Sequence, residues 1–184
     1  MSFDNLVECE LQRVDWSQFM EANGPATNIP DTFRRLLSAR TPEDANAAYW
    51  EIENHAFVQG GLFEASLPLV PVILSALVDM NRPRNTRIQL LEILYHIVSG
   101  VPHLDEVARG LHGLGDQCKA AARDGLWVLY SIFQEGVFWS AASEIIERID
   151  RDPMRLRRLR ELNAGSGRID IPQRLTVPKE SSGP

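Results

Sequence analysis

The chain has 184 residues, of which 44% are hydrophobic and 24% are charged, a composition typical of one soluble globular domain rather than of a disordered or membrane-spanning chain. No apolar run reaches the roughly 20 residues that a membrane helix needs. The N-terminal sequence MSFDNLVECELQRVDW lacks the basic and then apolar order of a secretory leader. We therefore expect a cytoplasmic protein that does not bind a membrane.

The net charge of −6 is distributed unevenly along the chain. Residues 1–150 carry a charge of −10, whereas residues 151–184 carry +4. An acidic body repels nucleic acid and anionic membrane surfaces, and it attracts basic molecules. The sequence therefore predicts a protein partner with a basic surface and no nucleic-acid partner.

The chain begins with a segment of weak periodicity, residues 1–27, in which we predict a short helix followed by irregular chain. Regular helical patterns start with NIPDTFRRLLSAR, where Asn28 or Asp31 is suited to cap the helix. The following helix has the clearest start signal. Thr41 is suited to the N-cap and Pro42 to the first helical position, because the missing N–H of proline costs nothing there.

The stretch HAFVQGGLFEASLPLVPVIL then interrupts the helical pattern with two glycines and two prolines. We predict that Gly60 and Gly61 end the preceding helix, because glycine adopts the left-handed conformation that closes helices. Pro68 and Pro71 fit the opening turns of the next helix. A phosphate-binding loop is disfavoured, since the glycines follow a helix, no lysine lies nearby and Glu64 would repel phosphate.

The remaining patterns are helical as well. PLVPVILSALV and RPRNTRIQLLEILYHIVSG are apolar on more than one side, which indicates helices covered on both flanks. LDEVARGLHGLG predicts a short helix, and DQCKAAARDGLWVLYSIFQEG a long one from Asp116 to a stop at Gly136, with Trp127 buried. The last two predicted helices are FWSAASEIIERID and DPMRLRRLRELNAG. Residues 165–184 are predicted to form an extended or disordered tail.

An internal repeat relates two turns of the chain. QGGLF at 59–63 matches QEGVF at 134–138, and in both places an alanine-rich helix with a tryptophan leads through a Gln-x-Gly-x-Phe turn to a second amphipathic helix. Units with apolar residues on two sides bury them by stacking. We therefore predict one all-α domain over residues 1–164, built as an α-solenoid of antiparallel helix pairs.

The string AYWEIENHAFVQGGLFEASLPLVPVILSALVD resembles a segment of small bacterial HEAT-like repeat proteins, and the resemblance covers residues 41–100. The positions that carry it are Trp50, Gln59, Gly60, Phe63, Ala65 and Pro71. The resemblance implies a HEAT-like helical repeat fold and a role as a binding protein, with immunity partners of secreted toxins as one such role. It implies no catalytic motif.

Histidines and cysteines do not form a catalytic or metal-binding pattern. No two of the four histidines have the i, i+4 spacing around an acidic residue that builds a zinc site on a helix. Glu92 and His96 have this spacing and are expected to form a surface pair. Cys9 and Cys118 lack zinc or redox spacing, so we expect free thiols. We predict no catalytic residue, no metal and no cofactor.

The basic run MRLRRLREL, residues 154–162, has two interpretations. Its arginines can form a patch for RNA or a membrane, or they can pair with the acidic body across a capping helix. No aromatic residue lies between the arginines, so the sequence favours intramolecular pairing.

These observations predict a non-enzymatic protein-binding module, in its most concrete form an immunity protein that neutralises a toxin. Trp50 and Trp139 are candidate aromatic anchors on an exposed ridge. The polar residues expected to face the partner are Glu51, Asn54, His55, Gln59 and Glu64. Two other classes stay open. One is a helical-repeat enzyme acting on nucleic acid, which the acidic body disfavours, and the other is a scaffold or regulatory subunit.

Overall fold

Ten α-helices make up most of the chain, which this computed structural model describes over residues 4–165. The helices are α1 Asp4–Gln12, α2 Ile29–Ser38, α3 Pro42–Ala56, α4 Ser66–Leu77, α5 Arg84–Ser99, α6 Leu104–Ala108, α7 Leu114–Arg123, α8 Leu126–Glu135, α9 Trp139–Ile149 and α10 Pro153–Gly165. Short strands lie between them: β1 Met20–Glu21, β2 Gly24–Pro25, β3 Phe57–Val58, β4 Gly61–Leu62 and β5 Val101–Pro102. The predicted all-α class is confirmed.

The contacts between helices define two groups, which we call the first row and the second row. In the first row α4 contacts α1 and α7, and in the second row α5 contacts α3 and α9. The rows are joined because α5 also contacts α4 and α7. α2 packs on α3, and both α8 and α10 pack on α9. Because α4 and α5 are covered on both flanks, they are apolar on more than one side.

A continuous core of buried apolar side chains extends from Val7 in α1 to Leu156 in α10. On α3 the buried positions include the helical stripe Ala45, Tyr49, Ile52 and Ala56. Each large apolar side chain buried in this way contributes about 1.5–3 kcal/mol to stability. Burial of this stripe and of both apolar sides of α5 therefore supplies much of the free energy that holds the second row together.

The start of α3 forms as its sequence predicts. The Thr41 side chain accepts a hydrogen bond from the backbone N–H of Asp44 at 3.1 Å, and Pro42 is the first helical residue. In α4, which begins at Ser66, Pro68 falls in the first turn and Pro71 lies inside the helix. Pro68 is therefore in the opening turn, as expected, whereas Pro71 lies deeper in α4 than expected and removes one of its internal hydrogen bonds.

The predicted single helix from Asp116 to Gly136 is wrong. The chain instead forms α7 and α8, which are separated at Asp124 and Gly125. A Cβ atom at Gly125 would lie 2.3 Å from Cδ2 of Leu74, so the close approach of α4 requires glycine at the break. The predicted stop is confirmed, since α8 ends at Gly136 in the left-handed conformation with φ 90°.

The glycine pair does not cap α3, contrary to expectation. The helix ends at Ala56 and the chain forms the β3–β4 hairpin with Gln59 and Gly60 as its turn. Their φ angles of 50° and 82° match a type I′ turn, which needs positive φ at both positions. The repeat partner of this turn ends α8 directly, so the two Gln-x-Gly-x-Phe copies differ in backbone structure.

Residues 4–27 contain the predicted short helix as α1. The rest of this segment forms a 3₁₀ turn, Trp16–Gln18, and the β1–β2 hairpin. The backbone N–H of Ala22 donates to the carbonyl of His55 at 3.0 Å, so the first hairpin is joined to the end of α3. Of the predicted tail, Gly165 is the last residue of α10, and residues 166–184 lie outside the described chain.

Candidate protein-binding surface

A three-stranded sheet marks one end of the second row. β5 follows α5 and pairs in parallel with β4 of the hairpin. The N–H of Val101 donates to the carbonyl of Gly60 at 3.0 Å, and that of His103 donates to the carbonyl of Leu62 at 2.9 Å. A Cβ at Gly100 would lie 2.6 Å from Cδ2 of Leu62. The loop after α5 therefore needs glycine to reach the hairpin.

Two bulky apolar side chains are exposed beside this sheet. Val101 is 66% exposed and Leu104 is 79% exposed. His103 lies between them in the chain, and its ring stacks on Phe63 with the centroids 4.6 Å apart. We use the name hairpin-end surface for Gln59, Val101, His103 and Leu104. Exposed apolar groups held on a fixed backbone are typical of binding surfaces.

Acidic groups surround the hairpin-end surface. Arg109 pairs with Glu64 at 3.0 Å and with the buried Glu106 at 2.9 Å. Glu64 also accepts a hydrogen bond from the backbone N–H of Met20 at 3.3 Å. Asp105 on the same short helix has an exposed carboxylate. Three carboxylates against one guanidinium give this end of the molecule a negative charge.

The predicted partner residues Glu51 and His55 form contacts within the chain. Glu51 accepts a hydrogen bond from Thr32 at 2.8 Å and pairs with Arg35, so it joins α3 to α2. Burial raises the pKa of Glu51, but the bonds from Arg35 and Thr32 outweigh burial and lower it. The Nδ1 atom of His55 lies 2.5 Å from the buried carboxylate of Glu21. Partner binding by Glu51 and His55 stays a prediction.

The other predicted residues differ in accessibility. Trp50 is 41% exposed and meets Tyr49 edge-on with centroids 5.4 Å apart. Asn54 and Gln59 are exposed as well. Trp139 is half-buried at the start of α9. Because α5 packs between α3 and α9, it separates the two helices that carry the predicted tryptophan anchors.

Sequence reasoning missed three exposed apolar residues. Trp127, expected to be buried, is 68% exposed, and the guanidinium of Arg155 lies over its ring at 5.2 Å. Val101 and Leu104 belong to the short string GVPHLDE, in which Leu104 opens the predicted short helix. The available signal was local, because Val101 lies between Gly100 and Pro102 and Leu104 lies at the start of a short helix instead of within a long amphipathic stripe.

The pair of Glu92 and His96 is less exposed than the sequence suggests. Glu92 is buried, and its carboxylate lies 3.2 Å from Nε2 of His96, whose ring stacks on Phe57. Nearby, burial and a hydrogen bond to Glu53 raise the pKa of Tyr49. Within residues 4–165, no group of three His, Cys, Asp or Glu side chains is arranged to hold a metal ion.

Arg155 and Arg160 of α10 pair with acids of the body, as the intramolecular interpretation predicts, whereas Arg157 and Arg158 pair with an acid of α10 itself. Their pairs are Arg155 with Asp150 and Asp152, Arg157 and Arg158 with Glu161, and Arg160 with Glu147. The exposed pairs among them contribute little to stability, about 0–1 kcal/mol each, whereas the Asp150 carboxylate is buried. They do, however, neutralise much of the positive charge of the helix.

Comparisons with protein-family models, with functionally curated proteins and with solved structures give no match to this chain. In the part of the chain that the structure describes, none of the helices has the length and apolar character needed to cross a membrane. The inference of function therefore depends on the surface of the molecule.

Proposed function

We propose that the protein is a non-enzymatic binding module with a HEAT-like arrangement of antiparallel helix pairs, which binds a protein with a basic surface. In its most concrete form it is a cytoplasmic immunity protein that neutralises a toxin. The observation that carries the proposal is the exposure of Val101 and Leu104, at 66% and 79%, on a backbone held by sheet hydrogen bonds.

The hairpin-end surface can contribute free energy to binding through its exposed apolar side chains. A valine or leucine side chain that a partner buries completely contributes about 1.5–3 kcal/mol to the free energy of binding. The turn and β5 are already ordered by the hydrogen bonds to Gly60 and Leu62. A partner therefore loses little free energy to ordering this backbone, which leaves more of the contact energy for affinity.

The surrounding charge favours a basic partner. Glu64, Glu106 and Asp105 outnumber Arg109, and the body over residues 1–150 carries −10. Such a field accelerates association with a positively charged surface and disfavours acidic molecules. The resemblance of residues 41–100 to bacterial HEAT-like repeat proteins, for which toxin immunity is a suspected role, is the basis of the more specific proposal.

The test is quantitative affinity purification from cells of the source organism with two matched variants. Leu104→Asp places a charge on the hairpin-end surface, whereas Leu162→Asp makes the same change at a residue of α10 that is 70% exposed. We expect a basic protein to be captured by the wild type and by Leu162→Asp, with at least about tenfold less captured by Leu104→Asp.

A captured protein that stops cell growth when expressed alone, and is neutralised by co-expression of this chain, would support the immunity role. A growth-neutral partner would support the scaffold alternative instead. Nucleic acid captured in place of protein, with binding that falls steeply as salt is added, would contradict the proposal and favour the enzyme alternative.

A further inference from the structure

A groove on the first row of helices is a second apolar surface. It is open to solvent, has a volume of about 650 Å³, and lies between α1, α4 and the junction of α7 and α8. Its apolar lining includes Leu6, Phe19, Leu67, Pro71, Ala121 and Val128. None of its lining residues belongs to the hairpin-end surface, so the groove is a separate feature.

The floor and one wall of the groove are fixed by proline and glycine. Pro71 has no N–H, so the carbonyl of Leu67 receives no α-helical hydrogen bond, and both residues line the groove. The α7–α8 junction lies against α4 because Gly125 leaves room for Leu74. Pro71 and Gly125 therefore constrain the backbone on two sides of the groove.

Charged residues stand at the rim of the groove. Glu10, Asp15 and Asp124 are acidic, whereas Arg13 is basic and already pairs with Glu10. Asp15 accepts hydrogen bonds from Ser17. The carboxylate of Asp124 is exposed and has no side-chain partner among residues 4–165. The rim therefore has a net negative charge, with Asp124 free to pair with a basic group.

We propose that this groove binds an amphipathic helix of a protein partner, with the apolar stripe of the helix in the groove and a basic residue against Asp124. Helices border the groove, so an added helix continues the packing of the row. Apolar anchors one turn apart fit a groove of this kind, and the acidic rim selects a basic flank.

The probe is a fluorescein-labelled peptide made of two copies of LKKLLKL, which forms a leucine stripe flanked by lysines. A control peptide has the same composition with the stripe scrambled. Fluorescence anisotropy measures the affinity of both peptides for the full chain. We expect the striped peptide to bind at least about tenfold more tightly than the scrambled peptide, since only the striped peptide can present its leucines on one face.

Two groove variants and two matched controls locate the binding. Leu6→Ser and Asp124→Lys should each lower the affinity for the striped peptide about five- to tenfold. Leu162→Ser and Glu43→Lys should change this affinity by less than about twofold. In NMR spectra of the full chain, the amide signals of α4 and of the α7–α8 junction should shift on peptide binding.

Three results would overturn the inference. The first is equal binding of the striped and scrambled peptides, which indicates attraction by charge alone. The second is unchanged affinity in both groove variants. The third is self-association of the wild type that Leu6→Ser abolishes in sedimentation experiments, because a second copy would then occupy the groove. Leu104→Asp should leave peptide affinity unchanged, which separates this test from that of the hairpin-end surface.

Discussion

The ion pair between Arg87 and Glu135 joins α5 to the end of α8, and replacing Glu135 with glutamine should destabilise the fold. The Arg87 side chain is only 5% exposed. It donates one hydrogen bond to Oε1 of Glu135 at 2.9 Å and another to Oε2, and its guanidinium lies 4.6 Å from the centre of the Phe138 ring. Glu135→Gln preserves the shape of the side chain but leaves a buried cation without its counter-ion.

The expected loss follows from the burial of the two partners. Breaking a buried pair by removing one charge costs about 3–5 kcal/mol, and a hydrogen bond to a charged group contributes about 1.5–3 kcal/mol. The Glu135 side chain is 31% exposed, so water screens part of the interaction. We therefore expect the free energy of unfolding to fall by about 2 kcal/mol, with Tm lower by about 4–8 °C.

The effect should disappear in acid. The hydrogen bonds from Arg87 lower the pKa of Glu135 in the folded protein. A depressed pKa contributes stability that is complete above the unfolded-state pKa of about 4.3 and is lost as the pH falls through the folded-state pKa. The difference between wild type and Glu135→Gln should therefore be largest at neutral pH and should shrink below about pH 4.

Urea denaturation followed by circular dichroism at pH 7 and pH 3.5 measures this difference. Glu144→Gln is the matched control, because Glu144 is exposed on α9 and its carboxylate has no hydrogen bond among the described residues. It should change stability by less than about 0.5 kcal/mol. If Glu135→Gln lowers the free energy of unfolding by less than about 0.5 kcal/mol at pH 7, or by the same amount at both pH values, the proposed role of the ion pair is refuted.

Other positions give independent predictions. Gly125→Ala should destabilise the protein by about 1–3 kcal/mol in urea, because the new Cβ would meet Leu74 at 2.3 Å; an unchanged midpoint would show that α4 can move away. Thr41→Ala should lower the free energy of unfolding by about 1 kcal/mol, because the cap of α3 is lost, and Thr41→Ser should retain the cap and the wild-type stability. The exposed Cys9 should react quickly with a thiol reagent, whereas burial, which raises the pKa of Cys118 to about 12, should keep that thiol unreactive until the protein unfolds.

Local signals in the sequence predict the individual helices well. Thr41 and Pro42 define the start of α3 because capping depends on adjacent residues, and Gly136 defines the end of α8 for the same reason. The two apolar sides of α5 indicate that it is covered on both flanks, because side-chain direction follows from helical periodicity. These features can be predicted from neighbouring residues alone, without the contacts made by distant parts of the chain.

The sequence-based predictions fail where tertiary contacts determine the backbone conformation. Gln59 adopts positive φ, which is unfavourable for this residue type, because the hairpin is held by β5 from a distant part of the chain. The break before α8 occurs because Leu74 of α4 needs the space at Gly125. At both places a contact with a distant part of the chain determines the backbone conformation.

The candidate surface was predictable only in part. The exposure of Trp50 agrees with the idea of an anchor, whereas Glu51 and His55 have partners that come from α2 and from β1. Those partners are distant in the sequence, so the pattern along α3 gives no sign of them. Exposure of Val101 and Leu104 depends on how β5 docks on the hairpin, which sequence periodicity does not encode.

Amide hydrogen exchange of the full chain, with and without its captured partner, tests the role of the hairpin-end surface most directly. The proposal predicts that exchange in residues 57–62 and 101–108 slows by at least about tenfold when the partner binds. Unchanged exchange in both segments, together with protection elsewhere on the molecule, would contradict it.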